Sequence, residues 1–247
     1  MQKVYLILGA SSDLGNALIR RLINVENTDK PVFIAHYHSN RSQIDEIIAE
    51  YPEQDIRVIQ ADLSDMEAVH NLIEHIQTMD ISPTHIVNFA ASTYRFNRLS
   101  EYNVERLSKD INIQVNSFAL ICQAFIPSMV ERKSGKIVVM LSAATKGVPP
   151  KNTTEYTTVK YAVLGLLKSL AADYGDMGIS INGISPGMIE TKFLRNIGRK
   201  IKEFNAEKSP QHRNLQVDDV IPSILFLLSE DSDFMNGTNL NLTGNVE

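Results

Sequence analysis

The 247-residue chain has one cysteine, no tryptophan, no block of basic residues and no long apolar run. A lone thiol, Cys122, cannot close an internal disulfide, so stability has to come from a packed core. A transmembrane helix needs about 20 consecutive apolar residues and a secretory leader needs its own apolar block; the opening MQKVYLIL is too short for either. The expectation is a cytoplasmic protein with no membrane partner. With 24 Lys and Arg against 29 Asp and Glu, the net charge of -5 gives no basic footprint of the kind nucleic-acid binding needs. The 12 glycines and 9 prolines are scattered, with no linker, low-complexity tract or internal repeat. One domain over residues 1–247 follows, and 43% hydrophobic composition is enough for its core.

What is present is an alternation of short apolar runs with stretches of helical spacing. KVYLIL, PVFIAHY, the run beginning DIRVIQ, THIVNFAA, KIVVML, SINGISPG and GTNLNLTGN read as seven strands, and the segments between them read as helices. This predicts an α/β fold of Rossmann type: a doubly wound parallel sheet with helices on both faces, ordered 3-2-1-4-5-6-7. The first unit is strand, GASSDLG turn and helix. Gly9 suits the tight turn, Gly15 lets helix and strand approach, and the helix-start N–H groups face a pyrophosphate. Ser64 and Glu67 form a capping box for the third helix.

At the end of the second strand, where a carboxylate would meet the ribose hydroxyls of NAD, residues 35–41 read AHYHSNR. His38 and Arg41 suit a 2′-phosphate, which favours NADP(H) over NAD(H). His36 and His38 have no third ligand in sight, so no metal site is expected. The chemistry concentrates in residues 142–160. Ser142 ends a strand, where open α/β sheets place ligands. Tyr156 and Lys160 are four apart on a helical run and share a face, so the ammonium is expected to draw the phenol's pKa from ~10 towards neutrality.

Taken together, GASSDLG at 9–15, ADL at 61–63, NFAA at 88–91, Ser142, Tyr156 with Lys160, and SPG at 185–187 resemble the short-chain dehydrogenase/reductase family, in the family's order and over essentially the whole chain. The resemblance implies an oxidoreductase that interconverts a carbonyl and a secondary alcohol, 3-oxoacyl thioesters being one substrate class. It makes Tyr156 the acid, Lys160 its electrostatic partner and Ser142 the group that orients the carbonyl. Gln114 falls where the family has its relay asparagine, with Asn112 and Asn116 two residues to either side. For the cofactor it implies Gly9, Ser11, Ser12, Asp13, Leu14 and Gly15 at the pyrophosphate, with Thr191 able to reach it. Asp62 and Leu63 border the adenine, Asn88 and Ala90 lie by the fourth strand, and Pro186 and Gly187 lie near the nicotinamide. Leu8, Asp13, Phe89, Ala91 and Gln114 depart from the family pattern.

Residues 188–216 form an expected substrate lid whose basic residues, Lys192 to Arg213, favour an anionic carrier on the substrate. The apolar stripe over 105–132, with Val163, Leu166, Leu167 and Leu170, predicts a homo-oligomer, a tetramer by resemblance. Cys122 lies in that stripe as a core residue. Two other readings remain open: a nucleotide-binding regulator without turnover, favoured by Gln114 and Asp13, and a sugar-modifying reductase or epimerase.

Overall fold

In the first strand, β1 (Val4–Leu8), every residue is buried, so both of its faces must be covered. Val4, Leu6 and Leu8 belong to one core; Tyr5 and Ile7 belong to another on the opposite face. The computed structural model describes residues 2–25 and 30–244. The seven-stranded sheet continues with β2 (Val32–Tyr37), β3 (Ile56–Gln60), β4 (His85–Asn88), β5 (Gly135–Met140), β6 (Ile179–Pro186) and β7 (Asn239–Leu242). Its order is β3-β2-β1-β4-β5-β6-β7, with every pair parallel, as the sequence predicts. Asn245, at the end of the expected last strand, lies outside the described residues.

One core packs the sheet against α3 (Met66–Thr78), α5 (Ser117–Arg132) and α6 (Thr154–Tyr174). The other packs it against α1 (Asp13–Val25), α2 (Ser42–Glu50) and α8 (Val217–Leu228). The chain reverses direction across the sheet between β1 and β4, so their carboxyl ends open a crevice at the sheet edge.

Three expectations need correction here. The cap of α3 is Asp65, whose side chain accepts from the Glu67 N–H at 3.0 Å. Ser64 is spent on Asp62, to which it donates its N–H at 2.9 Å and its hydroxyl at 2.7 Å, so no capping box forms. The apolar stripe over 105–132 does not run on one regular helix. α4 (Val104–Ile111) passes through a π-helical turn, Asn112–Asn116, before α5 begins. Such a turn inserts one residue into the helical ladder and is frequent at functional sites. Finally, Val163 and Leu167 lie in the chain's own core, so they leave nothing for a subunit contact.

By length and composition the whole rod Val104–Arg132 could cross a membrane. Phe118, Ile121, Cys122, Phe125 and Met129 are buried against the sheet, which makes it a core helix. Residues 188–216 are folded rather than loose. They hold a 3-10 turn, Lys192–Leu194, and α7 (Arg199–Lys208), and their two ends are joined where Leu215 donates to Met188 and Glu190 donates to Leu215.

Candidate active site

Parallel strands bring the predicted residues to one edge. Gly9, His38, Asp62, Asn88, Ser142 and Pro186 all stand at or just beyond the carboxyl ends of β1 to β6. Gly9 has φ of 77°, a left-handed conformation that favours glycine, and a Cβ there would come within 3.2 Å of the Ala90 nitrogen. A Cβ on Gly15 would collide with the Gly9 carbonyl at 2.6 Å. Ser12 accepts the Gly15 N–H on its hydroxyl at 3.1 Å, and the first-turn N–H groups of α1 have no intrahelical acceptor. This close-packed cradle fits a dinucleotide pyrophosphate. Ser11 lies in the same turn. The Leu14 side chain packs against the core, so its contribution to a ligand is its backbone.

The sequence reading missed what holds the cradle. His36, buried in β2, accepts the Gly9 N–H on Nδ1 at 3.1 Å and donates Nε2–H to the Ala61 carbonyl at 3.1 Å, while its own carbonyl accepts from Ala10. The two bonds require the neutral ring, and burial pushes its pKa down to about 4. An imidazole inside an otherwise apolar strand was the available signal.

Asp13 stands at the middle of the glycine turn. Its carboxylate accepts the Lys192 backbone N–H at 2.7 Å and the Gln43 amide at 3.3 Å. The cradle is therefore tied to the 188–216 segment. At the strand ends, His38 is exposed with Nε2 3.6 Å from the Asp62 carboxylate, and Arg41 is paired with Asp45 at 2.6 Å. Leu63 is buried in the core, so only its backbone can border a ligand. Asn88 accepts the Ala90 N–H at 3.0 Å, bracing its own turn rather than bridging strands. Pro186 and Gly187 adjoin β7, Gly187 donating to Leu242 at 3.1 Å; Thr191 begins the 3-10 turn.

The Ser142 hydroxyl accepts the Ala144 N–H at 3.1 Å and is near enough to the Tyr156 phenol to favour its ionised form. Lys160 is buried one helical turn further along α6, where Nζ donates to the Met140 carbonyl at 2.8 Å and lies 5.9 Å from the Tyr156 ring centre. Burial pushes the Lys160 ammonium down to about 8. Burial also pushes Tyr156 up to about 12, with the Ser142 hydroxyl acting in the other direction. The expected lowering of the phenol by Lys160 is thus absent: the ammonium points at Met140, and desolvation dominates.

Gln114 sits in the π-helical turn, 4% exposed, with Oε1 buried and without a hydrogen-bond partner. Tyr94 stands edge-on to Tyr156 with ring centres 4.6 Å apart, and also meets Phe96 and Phe193 of the 188–216 segment. This aromatic cluster was not anticipated. Among the described residues no group of His, Cys, Asp and Glu is arranged to hold a metal.

A family profile described as enoyl-(acyl carrier protein) reductase matches residues 24–244. An uncharacterized oxidoreductase of Bacillus subtilis is 27% identical over 249 residues, covering 98% of this chain and 96% of its own. The (3R)-3-hydroxyacyl-CoA dehydrogenase of Homo sapiens is 25% identical over 250 residues, covering 98% and 94%. The crystal structure of levodione reductase matches with a TM-score of 0.87 at 25% identity, covering 98% of this chain and 96% of that one. The chain belongs to the short-chain dehydrogenase/reductase family, oxidoreductases that interconvert carbonyls and alcohols with NAD or NADP.

Proposed function

We propose that the protein is an NADP(H)-dependent carbonyl reductase, with 3-oxoacyl thioesters as the first substrates to try. The observation that carries this reading is the convergence of Ser142, Tyr156 and buried Lys160 at the same sheet edge as the glycine cradle. When bound, the nicotinamide supplies the hydride to the carbonyl carbon. Tyr156 gives its proton to the carbonyl oxygen; the phenol, pushed up to about 12 by burial, is protonated at neutral pH. Ser142, just beyond the end of β5, orients that oxygen through its hydroxyl. Lys160 places a positive charge near the phenolate that remains, and Gln114 takes the place of the relay asparagine. The cofactor would lie along Gly9 to Gly15, Asp62, Leu63, Asn88 and Ala90, with Pro186 and Gly187 at its nicotinamide end and Thr191 reaching its pyrophosphate. The absence of a carboxylate over 35–41 supports the NADP(H) preference.

Residues 188–216 serve as the substrate lid in this reading, since Phe193 reaches the Tyr94 ring beside Tyr156. The chain assembles as a homo-oligomer, a tetramer, through the helices over 105–132 and 154–174, where Leu166 and Leu170 are only partly buried. Asp13 keeps the regulator alternative in view, because its carboxylate occupies the turn where phosphate would sit.

The test is a cofactor absorbance assay over ketones, 3-oxoacyl thioesters and sugars. The parent should turn over a ketone or thioester with NADPH, and Tyr156→Phe should lower the rate by at least ~100-fold while still binding cofactor. No turnover on any substrate, with NADPH binding intact, would favour the regulator. An equally fast Tyr156→Phe would remove the tyrosine from its role.

A further inference from the structure

Thr145 closes the 3-10 turn, Ala143–Thr145, that follows Ser142, and it is buried. Its hydroxyl has three neighbours: the Ser142 carbonyl at 2.8 Å, the Ser185 hydroxyl at 3.0 Å and the Asn239 amide at 3.0 Å. A carbonyl can only accept, so the single Thr145 proton goes to Ser142. Ser185 and the Asn239 Nδ2–H group therefore donate to Thr145, and one hydroxyl is filled once as a donor and twice as an acceptor. The Ser142 carbonyl also accepts the Thr145 backbone N–H at 2.9 Å. Side chains from β6 and β7, the two strands beyond β5, thus anchor the turn that carries Ser142.

Packing alone does not explain this arrangement. Among the described residues the Asn239 Oδ1 is buried with no hydrogen-bond partner, and burying an acceptor in this way costs stability. An apolar residue at this place in β7 would avoid that cost. What the amide provides is one donor to Thr145, at a turn that begins with a residue of the candidate site. Ser142 itself is half-buried, and its backbone is extended, with φ of -165° and ψ of 151°. Its hydroxyl oxygen accepts the Ala144 N–H at 3.1 Å, which leaves the hydroxyl proton for an acceptor in the crevice. Thr145 holds the carbonyl side of Ser142 and Ala144 holds the hydroxyl side, so the turn sets the direction of that proton.

We propose that Thr145 is a positioning residue for Ser142, with Ser185 and Asn239 as its anchors. The chain of bonds from Asn239 through Thr145 to Ser142 fixes the turn so that the Ser142 hydroxyl points its proton at the substrate carbonyl oxygen. This rests on the proposed reductase reading, in which Ser142 orients that oxygen. Thr145 and Asn239 act only through Ser142. Misplacing a reacting group by about 1 Å can cost on the order of 100-fold in rate, so an anchor reaching across two strands has a large effect to protect.

The test uses Thr145→Val, which keeps the shape and the backbone bond to Ser142 but loses the hydroxyl, and Thr145→Ser, which restores the hydroxyl. Crystal structures should show one Ser142 rotamer in the parent and in Thr145→Ser, and a turned or split rotamer in Thr145→Val and in Asn239→Leu. This readout needs no turnover, so it separates failure of the inference from failure of the reductase reading. In the active enzyme, kcat should fall at least ~10-fold in Thr145→Val with KM for cofactor within about twofold, and Thr145→Ser should recover to within about threefold of the parent. In a Ser142→Ala background the same Thr145→Val change should cost less than about twofold, because its route to the chemistry is gone. A residue that merely stabilises the fold would lower kcat by the same factor in both backgrounds, and that result would overturn the proposal. So would the parental Ser142 rotamer in folded Thr145→Val. An inactive parent whose Ser142 rotamer still follows Thr145 would uphold the positioning and defeat the reductase reading alone.

Discussion

The Asp13 carboxylate accepts the Lys192 backbone N–H at 2.7 Å, joining the glycine turn to a segment 179 residues away. The Lys192 ammonium lies 3.9 Å from the same carboxylate. One side chain thus has two opposed effects on a dinucleotide. Its charge disfavours a neighbouring phosphate, while its hydrogen bond holds the base of the 188–216 segment in place.

The two effects separate by mutation. Asp13→Asn keeps an acceptor for Lys192 and removes the charge, so NADPH should bind at least ~5-fold more tightly, the low end of a close charge–charge repulsion. Asp13→Ala removes both, and amide exchange over residues 192–194 should accelerate. Calorimetry and hydrogen exchange check these outcomes. Equal NADPH affinity in Asp13→Asn would mean that the carboxylate does not meet the phosphates.

His36 makes stability depend on pH. Its folded pKa is about 4 against 6.5 for an unperturbed ring, so as pH falls below 6.5 the unfolded chain takes up a proton that the folded chain refuses. The stabilising contribution is full above 6.5 and is lost progressively towards 4, on the order of 3 kcal/mol in all. Buried His85, lowered to about 3 chiefly by burial, acts in the same direction. Denaturant melts from pH 8 to pH 4 should show this decline. In His36→Val the slope should be shallower, and the looser cradle should bind dinucleotide more weakly. A parent equally stable at both ends of the range would contradict the buried neutral imidazole.

The NADP(H) preference can be tested through Arg41. The guanidinium is exposed and engaged with Asp45 one turn along α2, an arrangement that a 2′-phosphate can displace. NADPH should bind more tightly than NADH by calorimetry. Arg41→Ala should narrow the gap, and Asp45→Ala should widen it by freeing the guanidinium. Equal affinities in the parent would refute the reading of the strand end.

The sheet order was legible because each buried strand had to be a short apolar run, and the glycine turn, Ser142 and the Tyr156–Lys160 pair are local patterns. Features made by distant residues were not. Glu155 meets Arg106 across 49 residues and Asp13 meets Lys192 across 179, so no spacing rule finds either. The π-helical turn at Gln114 was hidden for a different reason: apolar residues three and four apart read the same through one inserted residue. The direction of the Tyr156 shift was misjudged because an ammonium on the same helix face was taken as a partner, whereas Lys160 donates to Met140 and burial decides the phenol.

The charge of the 188–216 segment is also weaker than a residue count suggests. Lys202 pairs with Glu190 at 3.0 Å, Arg199 with Glu203 at 3.2 Å and Arg213 with Asp219 at 2.5 Å, and Lys192 lies against Asp13. Among the described residues no carboxylate is within ion-pair distance of Arg195, Lys200 or Lys208, and Lys208 lies over the Phe204 ring at 4.2 Å. Three cations remain to attract an anionic handle. A 3-oxoacyl group carried on coenzyme A or acyl carrier protein should therefore have a higher kcat/KM than the same carbonyl without the handle. The advantage should shrink as salt shortens the Debye length from about 30 Å at 0.01 M to about 8 Å at 0.15 M. Replacing Arg195, Lys200 and Lys208 together by Gln should abolish it, whereas Arg213→Gln should leave it nearly intact, since that cation is already neutralised by Asp219. A preference for the handle that ignores both salt and the triple replacement would locate recognition elsewhere, in contacts to the handle other than charge.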